Sequence, residues 1–194
     1  MAWAVDRAPL TTNAYSLPRL ALPFAGEPPN SPGSMSLKVG DQAPEFDVTA
    51  RQAGQDRPLS LRGILADKNL VLYFYPRDFT LVCTREACGF RDAYAQLTSG
   101  DTEVVGVSVD DAATHDRFAR EHGLTFPLVA DPDHKLARLY GATSALRDVL
   151  GVSARITYVI GRNGRIAAVF DSVVRASQHV DGARAVIQAL RAHP

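Results

Sequence analysis

The chain has 194 residues, 46% of them hydrophobic, with 21 lysines and arginines against 21 aspartates and glutamates. That is the size and apolar content of one ordinary globular domain, and it excludes a largely disordered chain. The charges balance and are scattered. This argues against nucleic acid or an anionic membrane surface as partner, since both need clustered Lys and Arg, and no apolar run reaches the roughly 18 residues of a spanning helix.

Residues 1–34 hold Pro9, Pro18, Pro23, Pro28, Pro29 and Pro32 and sustain neither a helical nor a strand period. They lack the basic start and apolar core of a secretory signal, and Asp6 and Glu27 beside only Arg7 and Arg19 make a poor transit peptide. A disordered extension is expected over 1–34, with Met35 as an alternative start, followed by one domain over 35–194. The missing signals give a cytoplasmic expectation.

From Met35 the pattern alternates strand and helix. Leu70 to Tyr75 is a short, nearly continuous apolar run, as in a strand buried on both faces, and Glu103 to Val109 is another. Between them, a stripe at Cys83, Ala87, Phe90, Tyr94 and Leu97 predicts a helix over Thr84 to Leu97. A second helix runs from Ala113 to His122, with Gly123 placed to end it. Pro127 to Ala130 offers a short strand. Asp131-Pro132 reads as an N-cap and first-turn proline opening a helix that stops at Gly141. Ile156–Ile160 and Ile166–Phe170 flank Gly161-Arg-Asn-Gly164, a hairpin pattern. A final helix is predicted over His179 to Ala192. The series makes an α/β domain with a mixed central sheet flanked by helices.

The chemistry-bearing segment follows the first strong strand: Tyr75-Pro-Arg-Asp-Phe-Thr80-Leu-Val-Cys83-Thr-Arg-Glu-Ala-Cys88. Two cysteines are too few for a disulfide framework. Cys83 falls at a helix start, where unpaired N–H groups and the helix dipole favour a thiolate. Thr80 is close enough to aim its hydroxyl at the sulfur, and Pro76 can shape the loop. A cysteine near a helix start is nevertheless more often a small buried hydrophobe, and Cys83 does continue the apolar stripe.

Pro76, Thr80 and Cys83 form P-x-x-x-T-x-x-C, which resembles the peroxiredoxin active-site motif. The run Cys83-Thr-Arg-Glu-Ala-Cys88-Gly-Phe-Arg-Asp92 is similar to the bacterioferritin-comigratory, or Q-type, subfamily. Lys38 to Phe46, Val107 to Asp110, His115, Phe126 to Leu128, Asp131-Pro132, Tyr140-Gly141 and Arg155 to Ile160 extend the resemblance over about 35–194. Leu81-Val82 stand where that subfamily commonly has Pro-Gly. The resemblance implies a thioredoxin-like fold and reduction of hydrogen peroxide or organic hydroperoxides. Cys83 would be the attacking thiolate, Thr80 and Arg155 would bind the peroxide, Glu86 would orient the arginine, and Cys88 would be the resolving cysteine. It also implies a thioredoxin or similar dithiol as reductant, no metal, flavin or nucleotide cofactor, and a monomer or weak homodimer.

Taken without the resemblance, Arg155 could be a surface cation and Glu86 an ordinary first-turn acid. Five residues along a helix rise roughly 7.5 Å, so Cys83 and Cys88 would stand about 8–9 Å apart, too far for a disulfide unless the first turns unwind. Cys88 is therefore either a resolving cysteine released by local unfolding, eased by Gly89, or an inert core residue with resolution left to an external thiol. A thiol–disulfide oxidoreductase usually needs Cys-x-x-Cys, which is absent. His115, His122, His134, His179 and His193 lack metal-ligand spacing, and most are expected at the surface; His115, inside the family-like stretch, is the exception, with no role assigned. A non-enzymatic redox-sensing or chaperone protein on the same scaffold is the remaining rival.

Overall fold

The computed structural model describes residues 37–97, 101–143, 153–172 and 175–192. The extension expected over 1–34 lies outside them. The described strands are β1 (Asp47–Gln52), β2 (Gln55–Ser60), β3 (Asn69–Phe74), β4 (Thr102–Ser108), β5 (Leu128–Ala130), β6 (Ile156–Ile160) and β7 (Ile166–Phe170). The described helices are α1 (Leu61–Leu65), α2 (Leu81–Leu97), α3 (Ala112–His122), α4 (Lys135–Leu139) and α5 (Ala176–Ala192).

One seven-stranded sheet runs in the order β2-β1-β5-β4-β3-β6-β7. β3, β4 and β5 are parallel neighbours, and the remaining pairings are antiparallel, so the sheet is mixed as expected. Every residue of β3 and β4 is buried, which explains their unbroken apolar runs. Leu70, Leu72 and Phe74 join a core on one face, with α1 and α4. Val71 and Tyr73 join a second core on the other face, with α2, α3 and α5. That second face carries Cys83.

Three expectations change. The β1–β2 hairpin was not predicted, because most of its residues are polar and solvent-facing and little apolar alternation marks it. α2 begins three residues before Thr84 and α5 three before His179, which moves both residues inside their helices. α4 starts only at Lys135, yet Asp131 still caps it from farther back, accepting from the backbone N–H of Leu136 (3.1 Å) and Ala137 (2.8 Å). Gly123 ends α3 at φ +63 as expected.

Candidate active site

β3 delivers the chain to a loop, Tyr75 to Thr80, that turns into α2. The first intrahelical bond of α2 joins the Thr84 N–H to the Thr80 carbonyl at 2.8 Å. Leu81, Val82 and Cys83 therefore precede the repeating ladder, and their N–H groups have no partner of that kind. Cys83 is 1% exposed. The antiparallel register places Ile156 opposite Phe74, so the residue before β6 meets the end of β3. That residue is Arg155, and its Nη2 lies 3.0 Å from the Cys83 Sγ. The sulfur therefore lies within hydrogen-bond distance of a guanidinium.

Arg155 is itself buried and is held by Glu86, whose Oε2 accepts from Nη1. Burial opposes the arginine's charge, but Glu86 and Cys83 outweigh it and hold its pKa above the ordinary value. Burial has the larger effect on Glu86, pushing its carboxyl up to about 7 against the pull of Arg155. The other carboxylate oxygen, Oε1, has no hydrogen bond among the described residues and faces His179 Nδ1 at 3.3 Å. His179 Nε2 lies 2.9 Å from the Ser172 carbonyl. A carbonyl only accepts, so Nε2 carries the proton, and in the neutral ring Nδ1 accepts from the Thr157 hydroxyl at 2.8 Å. Burial holds His179 below its ordinary pKa.

The loop before α2 has a separate anchor. Asp78 is buried and accepts from the Tyr75 hydroxyl (2.7 Å) and bonds His115 Nδ1 (2.8 Å). Its backbone N–H donates to Asp110, which also accepts from the Ser108 hydroxyl. The next residue, Phe79, holds a left-handed φ of +58 while its ring packs edge-on against Phe118 and under Arg117. Such a conformation costs roughly 1–3 kcal/mol in a non-glycine residue and persists only where its surroundings fix it.

The structure thus brings together Cys83, Glu86 and Arg155. Neither Arg155 nor Glu86 is on the surface, contrary to their alternative readings. Pro76 is half-buried in the turn out of β3. Thr80 is exposed, and its hydroxyl donates to the Arg77 carbonyl at 3.1 Å rather than to the sulfur, because the turn closes on itself there. Cys88 is half-buried, a free thiol on the same intact helix as Cys83. Gly89 has a packing reason of its own: a Cβ there would come within 3.0 Å of Val180 on α5. The expectation of surface histidines is corrected for His134 and His179, which are buried; His115, the histidine set apart from it, is buried as well. Sequence reasoning assigned His179 and Asp78 no role. Glu86, three residues beyond Cys83, shares its helix face, which was the available sign that the apolar stripe carried a polar pair.

Residues 39–169 match the AhpC/TSA family model. A chloroplastic peroxiredoxin Q of Sedum lineare is 34% identical over 152 residues, 78% of this chain and 78% of that protein. The chloroplastic peroxiredoxin Q of Triticum aestivum is 37% identical over 123 residues, 63% of this chain and 56% of its own. Peroxidoxin BcpB of Mycobacterium tuberculosis has a similar solved structure, with TM-score 0.70 and 31% identity over 79% of this chain and 97% of that one. AhpC of Mycobacterium bovis matches at TM-score 0.70 and 25% identity, over 82% of this chain and 96% of its own. The fold is therefore the thioredoxin-like one expected. The plant relatives are chloroplastic proteins. That finding overturns the cytoplasmic expectation, which rested only on the lack of a recognisable targeting pattern.

Proposed function

This chain belongs to the AhpC/TSA family and is a peroxiredoxin, a thiol-dependent peroxidase, and we propose that Cys83 is its attacking thiolate and Cys88 its resolving thiol. The observation that carries the reading is the buried Cys83 sulfur 3.0 Å from Arg155 at the N-terminal turn of α2. The thiolate attacks one oxygen of the peroxide, the O–O bond breaks, and the distal oxygen leaves with the electron pair and takes up a proton. Water or an alcohol departs, and Cys83 becomes a sulfenic acid. Arg155 and the Cys83 N–H supply positive charge where the leaving oxygen becomes negative. Thr80 joins them by exchanging its bond to the Arg77 carbonyl for one to the peroxide. Pro76 shapes the loop that shields the sulfur.

The Cys88 thiolate then attacks the sulfenic sulfur, expelling hydroxide, which takes up a proton to leave as water, and a disulfide forms. Five residues of intact helix separate the two by roughly 8–9 Å, so the first turns of α2 must open before the bond can close. A thioredoxin-type dithiol reduces the disulfide by exchange.

Mass spectrometry and thiol titration after one equivalent of hydrogen peroxide test this. The expected result is rapid loss of two thiols and a peptide linked through Cys83 and Cys88. A sulfenic or sulfinic Cys83 beside a free Cys88 moves resolution to an external thiol. No change at either cysteine removes Cys83 from the role of nucleophile. In the Cys88→Ser variant, one stoichiometric reaction should occur and recycling by thioredoxin should stall.

A further inference from the structure

We propose that His179 is a positioning residue for the peroxidase reaction: through Glu86 it governs the charge that Arg155 presents to Cys83, so that forming the thiolate is coupled to a proton held between Glu86 and His179. This rests on the reading of Cys83 as the attacking thiolate.

The case begins with a charge count in a space that water does not reach. Cys83, Glu86, Arg155, Thr157 and His179 are all buried, with exposures of 1%, 0%, 5%, 0% and 0%. With the thiol protonated, the Glu86 and Arg155 charges cancel. Once Cys83 ionises, two negative groups share one guanidinium, and the cluster carries a net negative charge that burial penalises. One additional proton restores neutrality. The geometry gives it a place: Glu86 Oε1 has no hydrogen bond among the described residues and faces His179 Nδ1 at 3.3 Å.

The tautomer makes the arrangement specific. His179 Nε2 is committed to the Ser172 carbonyl, so the ring's one lone pair is on Nδ1, which accepts from the Thr157 hydroxyl and has Glu86 Oε1 at 3.3 Å beside it. A carboxylate beside that electron-rich nitrogen is repelled, whereas a proton between Oε1 and Nδ1 gives Oε1 a partner and displaces the Thr157 hydroxyl from Nδ1. The elevated carboxyl of Glu86 fits this placement. With the proton there, Glu86 no longer neutralises Arg155, and the full guanidinium charge acts on the sulfur.

Other groups face the pair. From α2 come Glu86 and Cys83 itself. Arg155 precedes β6, whose Thr157 hydroxyl shares Nδ1. Asp171, after β7, adds a negative charge that favours the protonated ring, opposed by Arg155. On β3, Tyr73 has a buried hydroxyl with no hydrogen bond, and its ionisation is pushed far up by burial first and by Glu86 next. Of these, only Glu86 and His179 can trade a proton across a direct contact.

The test follows alkylation of Cys83 by iodoacetamide across pH in the full chain, with Cys88→Ser to leave one reactive thiol. His179→Asn keeps a polar group of similar reach that cannot become a cation. It should move the alkylation profile up by about one pH unit and slow the neutral-pH rate about tenfold. Thr157→Val removes only the hydroxyl that competes for Nδ1, so it should move the profile down. If His179→Asn does not fold, the Thr157→Val shift decides alone. An unchanged profile in a folded His179→Asn, or an upward or absent shift in Thr157→Val, overturns the proposal. Alkylation needs no peroxide, so a failure of the peroxidase reading would appear separately, as a peroxide rate insensitive to Cys83→Ser.

Discussion

Two buried carboxylate–histidine pairs flank Cys83, and they differ in what they touch. Behind the sulfur, Glu86 faces His179 and also binds Arg155, whose other nitrogen reaches Sγ. In the preceding loop, Asp78 binds His115 and the Tyr75 hydroxyl and holds a backbone turn. The residue types are nearly the same. The first pair communicates with the reacting atom because a permanent cation lies between them. The second fixes the strained Phe79 turn and contributes to where the sulfur is, not to its charge.

The largest effects should separate the cation from the anchors. Cys83→Ser should abolish turnover. Arg155→Ala should slow the peroxide step about 100-fold, the scale of losing one donor at a developing charge, while the rate of disulfide reduction by thioredoxin stays the same. Stopped-flow measurement of both half-reactions checks this, and an unaltered peroxide rate would take Arg155 out of the site. On the loop side, His115→Leu strands a buried carboxylate and should destabilise the fold by about 3 kcal/mol, read as a lowered urea midpoint. Its Cys83 alkylation profile should keep the wild-type pH dependence. A profile shifted as in His179→Asn would erase the distinction between the two pairs.

The sequence made one half of this arrangement readable and hid the other. β6 and β7 have the predicted bounds, and β3 and β4 differ by one residue at each end; β3, β4 and β6 are buried on both faces and so largely apolar, while the edge strand β7 was marked by the hairpin turn before it. The family resemblance, carried by the motif around Cys83 and the run Arg155 to Ile160, made Arg155 recognisable. β1 and β2 gave no such signal, since β2 is an edge strand that tolerates Gln55 and Pro58, and β1 beside it carries polar, only partly buried residues such as Arg51 and Gln52. The roles of His179 and Asp78 were invisible for a different reason. Burial of a polar side chain depends on partners distant in sequence. Thr157 lies on β6 and Glu86 on α2, while nothing around His179 distinguishes it from a surface histidine. His179 lies on the buried face of α5 with Val180, Ala183 and Ile187.

The smallest expected effect is the most discriminating, because the two members of the Glu86–His179 pair titrate in opposite senses. The Glu86 carboxyl rises from an ordinary 4.5 to about 7 on folding. Its contribution is complete below 4.5 and is lost as pH rises toward 7. His179 lies below its ordinary 6.5, so its contribution is complete above that value and is lost as pH falls through its folded value. Between these limits the slopes oppose each other, and the wild-type stability should be nearly flat. Glu86→Gln leaves the histidine alone, and stability should then rise with pH up to 6.5. His179→Asn leaves the carboxyl alone, and stability should fall as pH rises toward about 7. Each slope is bounded by about 1.4 kcal/mol per pH unit, within reach of urea midpoints taken at several pH values. Slopes of the same sign in both variants would mean that burial does not shift one of the two groups in the sense given above.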